Sequence, residues 1–571
     1  MPTASTPLSD GFVSLEAGVD SGRSPSIIAE NQVSWAVNTT FRGGWPQTRP
    51  GWVKIPLNYV SDAVETAAED GYFQGAGVLL TVTGSTYIVA SISGRLFQYD
   101  ASGAFAVTEL TGGDVNSPTL AQAWFVQAED TLVIQDDQSK PFLYDGATLV
   151  RAGDNQVPVG GPMAYGNGRL WVAHGSAYVG GDLAYSNPAY GRKTVLYFTE
   201  NTFLNEGGAF AVPAQLGTIT ALAFVAQQDT ANAVGGLMVF TNSSIQEFDA
   251  PVDRTIWKDL QQPLQRFALI EFGSFSPIVT PVNGDLFFRA RDGVRSFYFA
   301  RREFGGWGNT GIGNEVERVQ AKDDELLLNR CSSVNFDNRM LMTCQPQLSP
   351  SGVFHRALMS LDFDIVSGMR DKQPPCWEGV WTGLKILQIL TAVVLGKRRC
   401  FAFVIGADNK IELWELSKDE RFDNGDVRIA CAIELRSMNA KAPFVPKRLE
   451  SADMSLDHIV GNVMMTVRFR PDLYPSWVMW HNWGECAEYQ LCDDDVCATT
   501  LPDFQEENVA RRGIGQPADC QDCQKCIVVR DGYEFQVRVE WTGHLRIKRF
   551  RIGMTVLPET TFGKIQECCP T

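Results

Sequence analysis

From about Gly75 to Leu435 the sequence repeats a loose unit: one apolar strand, a short polar turn, and a second strand that closes on an aromatic residue. The closing strands are Gly94 to Asp100, Pro141 to Asp145, Leu183 to Ser186, Ile245 to Asp249, Val294 to Phe299, Ser360 to Asp364 and Ile411 to Trp414. They recur at roughly forty to sixty-five residues, the length of four strands with their loops, which is one blade of a β-propeller. The strands before them include Asp130 to Gln135, Gly168 to Ala173, Gly236 to Thr241, Asp285 to Ala290, Asn338 to Thr343 and Arg398 to Ile405, and most are rich in Leu, Val and Phe. A strand covered on both faces by stacked blades has no wet side, so a continuous apolar run is expected there in place of alternation. The count predicts about seven blades. No Trp-Asp pair or Gly-Gly doublet recurs at fixed register, so a stack of two β-sandwiches stays open as the alternative.

A mainly β chain of 571 residues is too long for one core. It divides into an N-terminal clamp (1–60), a propeller (61–435) and a C-terminal β-sandwich-like domain (436–571) with a cysteine-rich insertion at 481–526. In the clamp, Asn31 to Val37 is predicted as two turns of helix, with Val33, Trp35, Ala36 and Val37 on its apolar side. The chain then extends to Arg42, reverses at Gly43-Gly44, returns through Trp45 to Arg49 and stops at Pro50-Gly51. This helix-hairpin segment is too small to bury its own tryptophans, so it is expected to dock on the domains C-terminal to it. Beyond a polar linker, Arg436 to Pro446, the stretches Asn462 to Arg470, Glu534 to Trp541 and Leu545 to Ile552 read as strands. Thr542-Gly543 is predicted to join the last two as a hairpin, and the slip in alternation at Lys548-Arg549 predicts a bulge.

The formal net charge of −17 argues against a surface built to grip nucleic acid, which needs clustered Lys and Arg. Met1 to Asp10 has neither a basic residue nor an apolar core, so no signal peptide is expected. The longest apolar run, Ile386 to Leu395, is interrupted by Gln388 and Thr391 and falls far short of the ~20 residues of a membrane span. A soluble protein made in the cytoplasm is the expectation.

The acidic-Asn-Gln start Glu30-Asn31-Gln32, the central Asn38, the Gly43-Gly44 turn and the closing Arg49-Pro50-Gly51 together resemble the N-terminal region of certain virion proteins of tailed bacteriophages. These are propeller-containing tail, tail-nozzle or tail-tip proteins. The resemblance spans about forty residues and contains no catalytic motif. It implies an architecture: a structural, non-enzymatic part of the virion tail, made in the host cytoplasm. Copies would form a homo-oligomeric ring that contacts other tail proteins and guides DNA during ejection without reading its sequence. Asn38, Gly43, Gly44, Arg49, Pro50 and Gly51 would then be assembly residues, and the acidic balance would suit a lumen along which DNA slides.

Eight of the thirteen cysteines follow Gly484: Cys486, Cys492, Cys497, Cys520, Cys523, Cys526, Cys568 and Cys569. Cys520, Cys523 and Cys526 are spaced to reach one centre, and with Cys486, Cys492, Cys497 or His481 they suit a structural metal or an iron–sulfur cluster. No second CxxC pair follows, and the even number in a segment poor in apolar residues makes disulfides the preferred reading. No cofactor is needed beyond that. Asp493-Asp494-Asp495 lacks the spacing of a calcium loop and reads as a solvated turn.

Five histidines, His174, His355, His458, His481 and His544, read as strand or surface residues, and no G-x-S-x-G occurs. Glycosidase carboxylates assembled across blades leave no sequence signature. The second functional reading is therefore a receptor-binding, glycan-binding or glycan-cleaving propeller on the virion surface, with Trp307 as the most loop-like aromatic. Arg546, Lys548, Arg549 and Arg551 form a basic strand that is either a solvated face or a contact for an acidic neighbour.

Overall fold

The structure is a computed structural model that describes residues 7–118, 122–153, 156–166, 169–174, 195–199, 207–211, 217–224, 236–249, 265–297, 311–364, 375–486, 510–517 and 530–558. The recurring unit is realised as a series of antiparallel meanders. The first runs through Phe73–Leu80, Thr86–Ile92, Arg95–Asp100 and Ala106–Glu109. Trp124–Ala128, Thr131–Gln135, Phe142–Tyr144 and Leu149–Arg151 form the next. Two more four-stranded meanders begin at Met163–Gly166 and Ile219–Phe224, and a three-stranded one begins at Thr280–Val282. Ser333–Phe336, Arg339–Ser349 and Gly352–Asp362 lead into the long strand Cys376–Val394. From Lys385 onward that strand pairs with Lys397–Ile405, which pairs with Ile411–Ser417.

The predicted strand pairs are the second and third strands of these sheets. Thr131–Gln135 and Leu237–Thr241 are buried at every position, because neighbouring sheets cover both faces. Burying each Val, Leu, Ile or Phe there contributes about 1.5–3 kcal/mol, so the runs are the main source of cohesion between blades. One of the expected closing strands, Leu183 to Ser186, lies outside the described residues; the third strand of its sheet is Val195–Thr199.

The first strands of successive sheets face one another, and glutamine side chains join them where backbone ladders do not. Gln127 accepts from Leu80 N at 3.0 Å and donates to Leu80 O at 2.8 Å. Gln388, in the last sheet, does the same for Ala76 in the first, at 2.8 and 2.9 Å. Gln388 thus closes the series on itself. The last sheet is completed by Gly51–Lys54, antiparallel to Ile411–Ser417. A strand from the start of the chain finishing the final sheet makes the ring a β-propeller.

The C-terminal strands Lys447–Pro471 and Phe535–Val556 run antiparallel over most of their length. The hairpin expected at Thr542-Gly543 is absent: Phe535–Val556 is one strand that bends there, with Gly543 at φ +108° and register breaks opposite Asp457, Val460 and Met464. Two alternating segments in a row look like a hairpin in sequence, and only the partner strand reveals that the direction does not reverse. The bulge expected at Lys548-Arg549 is present: Ser455 pairs with Arg549 and Leu456 with Ile547, leaving Lys548 as the extra residue. Ala430–Met438 also pairs with Phe535–Val556, so this sheet begins inside the region assigned to the propeller and linker.

The N-terminal segment is not a helix followed by a hairpin. Val33–Val37 is a strand, antiparallel to Ala430–Met438. Its β-branched ends and the neighbouring sheet edge outweigh a weak helical period. The short helix of this region is Asp62–Glu69, capped by Ser61. The hairpin does form, through Thr39–Thr40 and Gln47–Thr48 around Gly43 and Gly44 at φ +85° and +86°. Pro7–Phe12 adds to the other end of Phe535–Val556. Residues 7–54 therefore pair with the C-terminal sheet at one end and the propeller at the other.

Candidate functional site

Two of the residues that carry the phage-tail resemblance, Asn38 and Arg49, come together where these two units meet. Asn38, buried at φ 55°, donates to Thr382 Oγ1 at 3.0 Å and to Ala430 O at 2.7 Å. Its Oδ1 accepts from Thr382 N at 2.6 Å and from Arg49 Nε at 3.1 Å. Thr382 belongs to the propeller and Ala430 to the C-terminal sheet, so one side chain bridges both. Arg49 is 1% exposed, yet all five of its N–H groups have acceptors. Nη1 donates to Pro50 O at 2.8 Å and Asp423 Oδ1 at 2.9 Å; Nη2 donates to Thr382 O at 2.9 Å and Asp423 Oδ2 at 2.8 Å. Asp423 also accepts from Trp52 N at 2.9 Å, tying the pair to the strand that closes the propeller.

Gly51 explains its own identity. An added Cβ would lie 2.0 Å from Phe422 O, so no side chain fits. Gly43 sits in open space, Gly44 is close only to Ser14, and Pro50 is half-buried. Asn38 and Arg49 are thus satisfied within the chain; of the expected assembly set, Gly43 and Pro50 are partly exposed, whereas Gly44 is buried.

A second cluster fastens the other side of the hairpin. Arg42 donates to Asp362 at 2.8 and 3.1 Å and to Asp337 Oδ2 at 2.7 Å. Burial works against its charge, but Asp362, Asp337 and Glu378 together hold the guanidinium above its usual value. Fully buried Glu378 accepts from Arg339 Nε at 3.0 Å, Ser360 Oγ at 2.6 Å and the Thr40 hydroxyl. Buried charges persist only when paired and hydrogen-bonded, as here. None of Arg42, Arg339, Asp362, Glu378 or Asp423 stood out in the sequence; the hairpin residues Thr40, Arg42 and Arg49 meet partners about three hundred or more residues away, and no local spacing marks the others.

Beside the first cluster lies a cleft of about 710 Å³ lined by Asn38, Arg49, Trp414, Asp423, Met464 and Trp541, among others. A smaller cavity of about 120 Å³ lies where the first strands converge, lined by Gln74, Trp124, Arg330, Ser332 and Gln388 among others. Among the described residues that line it there is no carboxylate and no histidine. Between the N-terminal segment and the propeller a third cleft, of about 560 Å³, holds Asp20 and Glu315. Burial, and then the Asp20 charge, push the Glu315 carboxyl up to about 7 against the pull of Arg23.

Of the candidate metal ligands, Cys520, Cys523 and Cys526 lie outside the described residues, as do Cys492 and Cys497. Cys486 ends the strand Val478–Cys486. Among the described residues no group of three His, Cys, Asp or Glu side chains is placed to hold a metal. Trp307 and Asp493-Asp494-Asp495 also fall outside them. All five histidines lie in strands. His355 and His544 are buried, and burial lowers them to about 4 and about 3, with Arg421 and His458 adding to the effect on His544. The basic strand is largely answered within the chain: Arg546 makes two 2.7 Å contacts with Asp457, Lys548 lies 3.0 Å from the same carboxylate, Arg549 donates to Ser455 at 2.9 Å and Arg551 pairs with Asp453.

No protein-family model and no curated protein sequence matches the chain. Solved structures that align with it include BamB from Moraxella catarrhalis, at 14% identity over 66% of this chain and 96% of that one, with a TM-score of 0.30. A catalytically inactive virginiamycin B lyase from Staphylococcus aureus aligns at 11% identity over 64% and 100%, TM-score 0.33. YCF48 from Cyanidioschyzon merolae aligns at 10% identity over 64% and 98%, TM-score 0.32. Likenesses this distant say nothing of what the chain does.

Among the described residues no helix is long and apolar enough to cross a membrane.

Proposed function

We propose that the protein is a non-enzymatic structural component of a tailed-phage virion, placed in the tail as part of a nozzle, hub or tip and assembled in a ring that guides DNA. The observation that carries this reading is the role of Asn38 and Arg49. Two residues of the phage-like stretch form the junction that locks the propeller to the C-terminal sheet, so the likeness concerns the feature that sets the shape of the whole body. A part that must transmit force and hold a channel open needs such rigid coupling between its units.

The finer architecture belongs to the same reading. On this reading the propeller has seven blades, the sixth and seventh sharing the strand Cys376–Val394, with Gly51–Lys54 as the last strand of the seventh. The C-terminal strands are taken as a bent two-layer sandwich on one core that includes Met454, Val467, Val539 and Ile552. The described residues enclose a cavity of about 120 Å³ where the blades converge, too small for a duplex, so on this reading DNA passes between subunits of a ring and not through one propeller.

The test is the mass of the purified full chain in solution, together with imaging of particles labelled by an antibody to it. A symmetric oligomer with label at the tail supports the proposal. Release of reducing sugar from host polysaccharide, abolished by substituting carboxylates at a propeller face, would replace it with the glycan-cleaving reading.

A further inference from the structure

The outer face of the C-terminal sheet carries a positive patch in an otherwise acidic protein. One cross-strand row reads Trp35, Glu434, Arg538, Arg468, Met479. Arg538 and Arg468 stand directly opposite each other, a like-charge pairing that costs stability unless a counter-charge intervenes. Glu540 provides it, 2.7 Å from Arg538 and 3.2 Å from Arg468. Glu434 answers Arg538 at 3.3 Å and Arg318 at 3.4 Å. Arg470 lies on the same face, its guanidinium 4.4 Å from the Trp477 ring, and Arg318 sits 4.8 Å from the Trp35 ring. Burial lowers the pKa of Arg470, Glu434 opposes that, and Arg318 and Arg538 reinforce it, which places these three guanidinium groups in one field.

Four arginines against two glutamates leave two positive charges in excess. They are accessible: Arg318, Arg468 and Arg538 are 52%, 37% and 32% exposed. Around them stand apolar side chains that water does not favour, Met479 at 59% and Met464 at 47% exposure. Arginine and tryptophan are the residues that dominate protein–protein hot spots, and methionine is enriched with them at interface cores. A duplex-binding track draws its affinity from many neutralised phosphates, and a patch with two positive charges in excess neutralises few.

We infer that this face is the docking surface for an acidic surface of a second copy of the chain. The inference rests on the ring reading above and names the surface that makes the ring. The charge balance selects the geometry. A twofold axis through the patch would set it against itself and juxtapose like charges, so the patch meets a different surface of the second copy, in a heterologous contact that closes into a ring when its rotation permits. The chain as a whole carries a net charge of −17, so a second copy offers predominantly acidic surface to a basic patch. At physiological ionic strength screening over about 8 Å leaves local complementarity to decide the contact.

The experiment measures the mass distribution of the full chain by sedimentation and mass photometry in ~0.1 M and ~1 M NaCl. The wild type is compared with Arg468→Glu/Arg538→Glu and with Met479→Glu, whose exposed position leaves folding intact even if the double reversal does not. The expected result is a salt-sensitive oligomer whose association weakens about tenfold or more in each variant. If the wild type assembles and both variants assemble equally well, the inference fails and the ring reading stands on another surface. A wild type that stays monomeric across the concentration range overturns both. Duplex DNA retained by the wild type and not by folded variants would assign the patch to nucleic acid and overturn the inference.

Discussion

Replacing Arg49 with Met removes five hydrogen bonds and leaves the largely buried Asp423 carboxylate, 15% exposed, without its cation. Removing one partner of a buried pair costs about 3–5 kcal/mol, mostly the penalty of the orphaned charge. The loss falls on the strand that closes the propeller, because Asp423 also holds Trp52 N. Global melting of a multidomain chain is not two-state and would blur the effect. Hydrogen exchange at the amides of Gly51 to Lys54 reads it locally. If their opening is limited by release of this strand, protection drops by about 10²–10³-fold, given a factor of ten per 1.4 kcal/mol. The double variant Arg49→Met/Asp423→Leu no longer carries the uncompensated charge and recovers part of the loss. The reasoning is refuted if Arg49→Met changes protection less than about threefold, or if the double variant is no better than the single.

Glu315 supplies a pH test. Its folded-state value of about 7 lies above the ordinary 4.5 of a glutamate, so its favourable contribution is complete below about pH 4.5 and lost as pH rises through 7. Glu315→Gln should flatten the decline in stability over that window and stabilise the protein at about pH 8 by about 2–3 kcal/mol, read by denaturant titration of the N-terminal segment's release. Gly51→Ala, with Phe422 O 2.0 Å from the new Cβ, should displace the closing strand and raise its proteolytic cleavage rate at least about tenfold. Cys331, Cys344, Cys376, Cys400 and Cys431 are buried free thiols, and burial raises all of their pKa values, Cys331 and Cys431 to about 12. Peptide mapping after alkylation of the native chain should find these five unlabelled, and labelled only after denaturation.

The propeller was legible because its signal is local and repeated. An apolar strand such as Thr131–Gln135 is continuous since two sheets cover it, and that demand is written into adjacent residues. The Lys548 bulge was visible for the same reason, as a break in a period of two. Where an element depends on a distant partner the sequence is ambiguous. Val33–Val37 has a period that fits a helix until Ala430–Met438 offers it a ladder, and residues 535–556 look like a hairpin until one long antiparallel partner keeps them in a single strand. The candidate site divides along the same line. Asn38, Arg49 and Gly51 were conspicuous only through the resemblance they carry, and the steric need at Gly51 is one that no other residue meets. Their destination was not legible. Asp423, Thr382 and Ala430 are more than three hundred residues away, and nothing in either stretch announces that one guanidinium will use all five donors there. The sequence by itself determined what must be buried and where the chain must turn. Only the tertiary structure decided which buried charge meets which, because pairing depends on the separation of side chains in space, and that is set by the closure of the ring.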